Sequence, residues 1–334
     1  MVEPKSAKEF MVTKLVTLSP NEHVYDGIAG LLKNNITGAP VVDRNSKFLG
    51  VFSEKCCMNV LDVMARNACL GNLNPENSIP VSQLMATNLV TLSPDSDVFD
   101  AIDKLLSHRI SGAPVLDSNG RFLGVFSEKD SMRVLIWAAY DQLPSTSVGL
   151  LMNQSRDRVI SPDTDLFEAA RIFSETPLRR LAVVDDDGML VGQVSRRDIL
   201  RAEADRAFAD SMQHPVTNLA TQISDLIRSG DGSSDLEAQE AKAYSDFETS
   251  RISYFMDREA KTISDETGLL GVAQIFLDTP YRRLPVLNGN ELIGQISRRD
   301  LLNAANELFP TPKDRGKSLL YLSSLVERDK APFG

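Results

Sequence analysis

Four segments of the sequence carry a serine followed three residues later by an acidic or polar side chain, each at the start of a predicted helix. In chain order the segments carry Ser53 with Cys56, Ser127 with Asp130, Ser195 with Asp198, and Ser297 with Asp300. A short carboxylate at a helix start can accept two hydrogen bonds from a vicinal diol. The alternative is helix capping, which Ser and Asp both favour. Capping does not explain why the first segment has no aspartate.

Arginine pairs distinguish two of these segments from the other two. The pairs are Arg179-Arg180 and Arg282-Arg283, where the other segments have Thr37-Gly38 and Ser111-Gly112. The planar guanidinium fork matches phosphate oxygens, and the alternative is a surface pair bridging to Asp or Glu. Two further pairs lie in the first turn of a predicted helix, where we expect them to face solvent: Arg196-Arg197 and Arg298-Arg299.

The overall charge is acidic, with 46 Asp and Glu against 36 Lys and Arg and a formal net charge of −10. This argues against a general binder of nucleic acid or anionic membranes. Screening limits charge effects to about 8 Å, so local arginines outweigh the global charge for a small anion. The sequence shows neither a membrane-spanning apolar stretch nor a signal peptide, and its three cysteines favour no disulfide framework, so we expect a cytoplasmic protein.

No catalytic constellation is visible in the sequence. It contains no phosphate-loop or nucleophile-elbow motif, and its three histidines are isolated from other metal-ligand residue types. We therefore expect neither an enzyme nor a metal or catalytic cofactor.

Internal repeats define the architecture. Residues 11–61 and 85–135 match at 31 of 51 positions without a gap, sharing LVTLSP, GAPV and FLGVFSEK. Residues 176–200 and 279–302 form a second, diverged pair that aligns to the first. We divide the chain into unit 1 (8–63), unit 2 (81–138), unit 3 (148–204), a partly flexible linker (205–251), unit 4 (252–309) and a tail (310–334). One unit of this size has too small a core to be stable alone, so units must pair.

Each unit is predicted to be strand, helix, strand, hairpin turn, strand, helix. The segment LVTLSP is β-rich and ends at a Ser-Pro turn. Apolar residues at Val24, Ile28 and Leu31 predict an amphipathic helix, for which Asn21 is a candidate cap. Two short apolar strands over 39–42 and 48–52 follow, and the last helix begins near Glu54.

These motifs resemble the cystathionine-beta-synthase (CBS) domain, whose pattern is a PV strand, a D-x-x-G turn, a hydrophobic-Gly strand and an S/T-x-x-D helix start. The resemblance implies an α+β fold of α/β-type units. Four repeats would pair into two modules, often called Bateman modules, which are commonly packed as a flat disc. Four such units in one chain resemble the gamma subunits of AMP-activated protein kinases.

The resemblance also implies roles for residues that match the family's motif. The ribose of an adenosine nucleotide would be bound by Asp198, Asp300 and Asp130, with Ser195, Ser297 and Ser127 beside them. Phosphate would be bound by Arg179, Arg180, Arg282 and Arg283. The adenine pocket would include Val159, Ile160, Thr262, Ile263 and Thr91. In unit 1, Cys56 replaces the aspartate, so we expect that site to be degenerate.

The sequence therefore predicts a regulatory protein that senses AMP, ADP or ATP, mainly between units 3 and 4. It would act through an effector protein or through self-association, such as a homodimer. One alternative is a protein-interaction scaffold without a ligand, which fits units 1 and 2 better than units 3 and 4. Another is a binder of S-adenosylmethionine, against which the arginine pairs argue, since that ligand is cationic at sulfur and has no phosphate.

Overall fold

The computed structural model describes residues 5–69, 79–139, 146–202 and 251–306. Within these ranges the chain forms four small antiparallel hairpins flanked by helices, which confirms the predicted α+β class with four repeats. The predicted tail, and the predicted linker apart from its last residue, lie outside the described residues.

Units 1 and 2 share one order of elements: a short helical turn, a helix, two strands and a final helix. In unit 1 these are α1 (Ala7–Phe10), α2 (Val24–Lys33), β1 (Gly38–Val42), β2 (Phe48–Ser53) and α3 (Glu54–Cys69). In unit 2 they are a 3₁₀ turn (Val81–Gln83), α4 (Val98–Ser107), β3 (Gly112–Leu116), β4 (Phe122–Ser127) and α5 (Glu128–Ala139).

Units 3 and 4 add a two-residue strand before the first long helix. Unit 3 contains α6 (Val148–Leu151), β5 (Val159–Ile160), α7 (Leu166–Glu175), β6 (Arg180–Val184), β7 (Leu190–Ser195) and α8 over 196–202. Unit 4 contains α9 (Ile252–Phe255), β8 (Ile263–Ser264), α10 (Leu269–Asp278), β9 (Arg283–Asn288), β10 (Glu291–Ser297) and α11 (Arg298–Asn306).

Two local predictions for unit 1 are wrong. The segment LVTLSP is not a strand there, because only Leu18 pairs with β1, through a single parallel bridge to Val41, before the chain turns at Ser-Pro. Helix α2 is capped by His23 rather than Asn21, since Nδ1 of His23 accepts a hydrogen bond from the Tyr25 backbone N–H at 3.4 Å.

The units do not pair in chain order. One buried apolar core joins unit 1 to unit 3, and a second joins unit 2 to unit 4. Helix α3 packs against α7 in the first core, and α5 packs against α10 and α11 in the second. A nucleotide site between units 3 and 4 implied that these two units form one module and units 1 and 2 the other, and this predicted pairing is wrong.

The hairpins form the other two contacts of the assembly. The Phe48 backbone N–H donates to the Asn290 carbonyl at 3.0 Å, which joins unit 1 to unit 4. The Phe122 N–H donates to the Gly188 carbonyl at 3.0 Å, which joins unit 2 to unit 3. The four units therefore close into a ring in the order 1, 4, 2, 3, with hairpin-paired modules 1–4 and 2–3.

In each module, the first residues of one unit pair with the hairpin of the other unit. Residues 251–257 lie on unit 1, where Asp257 bridges to Val51, and the N-terminal segment lies on unit 4, where Val12 bridges to Gln295. The glycine of the second strand permits this crossing. A Cβ at Gly50 would lie 2.5 Å from the Asp257 carbonyl oxygen, and one at Gly124 would lie 2.6 Å from that of Asn153.

Ion pairs between the acidic and basic starts of the last helices give a physical reason for the way in which these helices pair. Helices α3 and α5 begin with Glu54 and Glu128, whereas α8 and α11 begin with two arginines. Glu54 of unit 1 binds Arg197 of unit 3 at 2.9 Å, and Glu128 of unit 2 lies 3.7 Å from Arg299 of unit 4. Pairing unit 3 with unit 4 through these helices would bring arginines against arginines, which is unfavourable.

Candidate functional site

The Ser–Asp pairs of units 3 and 4 form capping boxes in which only one of the two carboxylate oxygens accepts hydrogen bonds from described residues. In unit 3 both the backbone N–H and the hydroxyl of Ser195 donate to Oδ2 of Asp198, at 2.8 and 2.6 Å. In unit 4 Ser297 makes the same bonds to Asp300, at 2.7 and 2.6 Å. No described group donates to Oδ1 of either aspartate. Capping and ligand binding are therefore compatible, because they use different oxygens of one carboxylate.

In unit 2, the carboxylate of the Ser–Asp pair is less exposed to solvent than those of units 3 and 4. Ser127 donates to Oδ2 of Asp130 at 2.9 and 2.6 Å, as in the other units. Here, however, Arg133 lies 3.6 Å from Oδ1, and the aspartate is only 4% exposed. Burial raises the pKa of Asp130. Binding of a ligand by this carboxylate would require Arg133 to move.

Unit 1 has no carboxylate at this position. Cys56 is buried, with its Sγ 3.3 Å from the Ser53 hydroxyl. Burial raises the pKa of the Cys56 thiol, and burial raises the pKa of Cys57 well above its usual value. Both cysteines are free thiols. At the position where the other units have the capping-box aspartate, unit 1 thus has no carboxylate oxygen, and the expected degeneracy of this site stays a prediction.

Arg180 and Arg283 each stand directly across a hairpin from the serine of a capping box. Arg180 is paired with Ser195 in the β6–β7 ladder, and Arg283 with Ser297 in the β9–β10 ladder. Each guanidinium also reaches the partner unit of its module. Nη1 of Arg180 donates to the Ser111 hydroxyl at 2.8 Å, and Nη1 of Arg283 donates to the Gly38 carbonyl at 2.9 Å.

The neighbouring arginines, Arg179 and Arg282, occupy equivalent positions but have different partners. Nη2 of Arg282 donates to Oε2 of Glu128 at 2.9 Å. Nη1 of Arg179 is buried and has no hydrogen-bond partner among the described residues. Burial lowers the pKa of Arg179 well below its usual value, and the nearby charges of Arg282 and Arg298 lower it further.

Arginines from units 3 and 4 lie close enough to act on one another through their charges, and we call Arg179, Arg180, Arg282 and Arg283 the arginine cluster. Burial, followed by the charge of Arg282, lowers the pKa of Arg180 and of Arg283. Arg282 of unit 4 is thus close to arginines of both units. Like charges held together out of water are unfavourable unless an anion compensates them. The cluster therefore has the electrostatics of an anion site.

The prediction that the arginine pairs at the helix starts face solvent is wrong. Arg196 and Arg298 are only 4% and 7% exposed. Arg298 donates to the carbonyls of Phe276 and Thr279, at 3.0 and 3.2 Å, and lies over the Phe276 ring. The long side chain turns back to satisfy carbonyls at the end of the preceding long helix, and Arg196 does the same in unit 3. Arg197 and Arg299 form ion pairs with glutamates of another unit, Glu54 and Glu128 respectively.

Sequence reasoning missed Glu54 and Glu128. Both are buried, and both pair with arginines from another unit. The signal was present, since units 1 and 2 read SEK where units 3 and 4 read SRR. Such a reversal of charge at one position of a repeat indicates a contact between unlike copies.

The predicted adenine-pocket residues lie at or beside β5 and β8 in units 3 and 4, and beside the single bridge of Leu92 to Val115 in unit 2. Ile160 and Ile263 belong to the two apolar cores. Val159 and Thr262 are partly exposed. The backbone carbonyl of Thr91 already accepts a hydrogen bond from Lys104 Nζ at 3.0 Å.

Within the described residues there is neither a helix long and apolar enough to cross a membrane nor a group of three or more side chains arranged to hold a metal.

Comparison with known proteins follows the same fourfold division. The model of the CBS domain family matches residues 7–63, 81–135, 152–205 and 251–307. Protein MJ1225 of Methanocaldococcus jannaschii is 24% identical over 301 residues, covering 86% of this chain and 94% of that protein. The gamma-3 subunit of human 5'-AMP-activated protein kinase is 27% identical over 200 residues, covering 56% of this chain and 40% of that subunit.

Among solved structures, CBSX2 in complex with AMP is 33% identical, with a TM-score of 0.35, covering 38% of this chain and 98% of that one. A chloroplastic CBSX2 of Arabidopsis thaliana is also a relative by sequence, 30% identical over 176 residues, covering 42% of this chain and 74% of that protein. Since the family model matches most of the sequence in four separate stretches, the chain belongs to the CBS domain family, with four such domains in one polypeptide.

Proposed function

We propose that the protein is a regulatory sensor of adenosine nucleotides that binds AMP, ADP or ATP. Asp198 and Asp300 would accept hydrogen bonds from ribose hydroxyls through Oδ1, beside Ser195 and Ser297. The arginine cluster would bind the phosphates. The nucleotide would be a regulatory ligand and not a catalytic cofactor, and the chain itself would not be an enzyme.

The observation that supports this most strongly is the juxtaposition of a diol acceptor and an anion site. Arg180 lies across the hairpin from Ser195, whose partner Asp198 has an open Oδ1, and the same holds for Arg283, Ser297 and Asp300. A nucleoside phosphate presents a vicinal diol and an anion on one small molecule. The buried, unpartnered Nη1 of Arg179 adds a donor that a phosphate oxygen would satisfy.

Units 3 and 4 belong to different modules of the ring, so the proposed sites would not share one module. The Asp198 site would lie in module 2–3 and the Asp300 site in module 1–4. The phosphates of both would point toward the shared arginine cluster. Asp130 with Ser127 would be a third, weaker site because Arg133 covers it. Bases would contact the residues predicted for the adenine pocket.

The name of the human relative, a subunit of a kinase activated by AMP, also supports an adenosine nucleotide. The output would pass through a partner protein or through self-association, such as a homodimer. We propose an energy-sensing role in the cytoplasm on the same basis.

Two other functions predict different ligands. S-adenosylmethionine shares the adenosine diol but places a cationic sulfur where the arginine cluster is, which is unfavourable. A scaffold without a ligand is favoured by one observation, the uncharged Cys56 of unit 1. It leaves the buried Nη1 of Arg179, which has no hydrogen-bond partner among the described residues, unexplained.

Isothermal titration with AMP, ADP, ATP and S-adenosylmethionine tests the proposal. The three nucleotides should bind and S-adenosylmethionine should not. Arg179→Ala should weaken AMP, because it removes the unpartnered Nη1 donor that we assign to phosphate. Arg171→Ala is the matched control, since Arg171 is exposed and, among the described residues, forms an ion pair with neighbouring Glu175 at 3.5 Å. A chain that binds none of the nucleotides at millimolar concentration contradicts the proposal.

A further inference from the structure

The unit 3 and unit 4 arginines of the cluster are related by the repeat but have different hydrogen-bond partners. Arg179 of unit 3 and Arg282 of unit 4 precede equivalent strands, since Arg180 pairs with Ser195 and Arg283 with Ser297. Repeat symmetry alone would give both arginines the same partners. The structure breaks this symmetry at one carboxylate, that of Glu128.

Glu128 holds Arg282 in a buried ion pair. The glutamate side chain is 3% exposed and that of Arg282 is 21% exposed, with Nη2 of Arg282 2.9 Å from Oε2. Nη2 of Arg299 lies 3.7 Å from the other oxygen, Oε1, which is buried without a hydrogen bond among the described residues. The carboxylate comes from unit 2, so this pair also joins the two units across a helix interface.

Glu54 is the repeat equivalent of Glu128, but it binds a different arginine. It accepts from Nε of Arg197 at 3.0 Å and makes no hydrogen bond to Nη1 of Arg179, although its charge acts on that arginine. Arg179 therefore presents a free donor, whereas Arg282 has a donor already committed to a carboxylate. An anion that approaches Arg282 must compete with Glu128, and an anion that approaches Arg179 has no such competitor bonded to it.

We propose that Glu128 is an internal competitor for Arg282 and makes the two anion positions of the ring unequal. The position at Arg179 binds first, and the position at Arg282 binds more weakly because its occupation breaks a buried ion pair between units 2 and 4. The inference rests on the proposed function only for the identity of the ligand as a nucleotide. The asymmetry itself concerns any phosphate-bearing anion.

The Glu128–Arg282 ion pair makes anion binding at Arg282 depend on the contact between units 2 and 4. Removing one partner of a buried ion pair leaves the other charge uncompensated, which is costly unless the structure adjusts. When an anion takes Arg282, Glu128 retains Arg299, which is 3.7 Å away, as its nearest cation. Binding at the second position is thereby coupled to the contact between units 2 and 4, whereas binding at the first is not.

Titration of the full chain with inorganic pyrophosphate, and separately with AMP, tests the proposal. The wild-type protein should show two unequal sites. Glu128→Gln should tighten the weaker site about tenfold, the effect of one charge-assisted hydrogen bond, and leave the tighter site within about twofold. Glu128→Asp, which keeps the charge but shortens the side chain, should tighten it in the same direction by less.

The matched control is Glu175→Gln, which removes the same charge from an exposed pair with Arg171 and should change neither site. If Glu128→Gln does not fold, Glu128→Asp decides the question. A weaker site that is unchanged or weakened in the folded variants overturns the competition. If pyrophosphate behaves as predicted while AMP does not bind, the asymmetry stands and the proposed nucleotide function fails.

Discussion

Asp300 should have two separable roles, one in capping α11 and one in binding ribose. Its Oδ2 accepts the backbone N–H and the hydroxyl of Ser297, at 2.7 and 2.6 Å, and its own N–H donates to the Ser297 hydroxyl at 3.2 Å. This reciprocal arrangement is a capping box. The open Oδ1 is the oxygen that we assign to the ligand.

Replacement by Ala and by Glu distinguishes the roles. Asp300→Ala removes the capping box, which costs about 1 kcal/mol and should lower the melting temperature by about 1–2 °C for a protein of this size. Asp300→Glu keeps a carboxylate at the position where glutamate commonly completes a capping box, so stability should be nearly unchanged. Asp300→Glu moves that carboxylate by one methylene and Asp300→Ala removes it, so ribose binding at this site should weaken in both variants.

The assays are thermal melting and isothermal titration with AMP. Loss of hydrogen bonds to a charged acceptor costs about 1.5–3 kcal/mol, so each variant should lose about tenfold or more in affinity at the Asp300 site and retain the Asp198 site. Asp278→Ala serves as control, because that exposed carboxylate bonds only Gln274 among the described contacts. Wild-type AMP affinity in Asp300→Glu refutes the ribose role, and a wild-type melting temperature in Asp300→Ala refutes the capping role.

Three further predictions concern the arginines and the thiols. Arg283→Ala should weaken AMP by about tenfold and adenosine by less than about twofold, measured by titration, and equal losses would remove phosphate from its role. Arg298→Met should destabilise the fold by about 3 kcal/mol in urea unfolding, because two buried carbonyls lose their charged donor; a change under about 1 kcal/mol would contradict its structural role. Burial raises the pKa of Cys56 and of Cys57, so both thiols should resist iodoacetamide at pH 8 in the native chain and react after denaturation, as mass spectrometry would show. Rapid native alkylation would contradict their burial.

The sequence was sufficient for features that depend on neighbouring residues. The hairpins and the start of α3 at Glu54 follow from short-range patterns, and the predicted strands over 39–42 and 48–52 differ from β1 and β2 by one residue at an end. For the Ser–Asp spacing, the sequence left two interpretations open, a carboxylate acceptor for a diol and a helix cap, and the structure shows the cap. Such features need only local geometry and periodicity, which one unit supplies by itself.

Features that depend on distant residues were not predicted. Units 1 and 2 are the most alike, and likeness suggested that they pair, but pairing follows complementarity between unlike copies. Glu54 and Arg197 are 143 positions apart, and Arg282 and Glu128 are 154 apart. The burial of Arg196 was missed for a related reason, because its acceptors are carbonyls of Phe173 and Thr176 in an earlier helix.

The most direct test of the central claim is a crystal structure of the full chain grown with AMP. We expect ribose hydroxyls on Oδ1 of Asp198 or Asp300 and a phosphate within hydrogen-bond distance of Arg179 or Arg282, in a ring ordered 1, 4, 2, 3. AMP bound away from these residues, or a phosphate that points out of the ring into solvent, would contradict it.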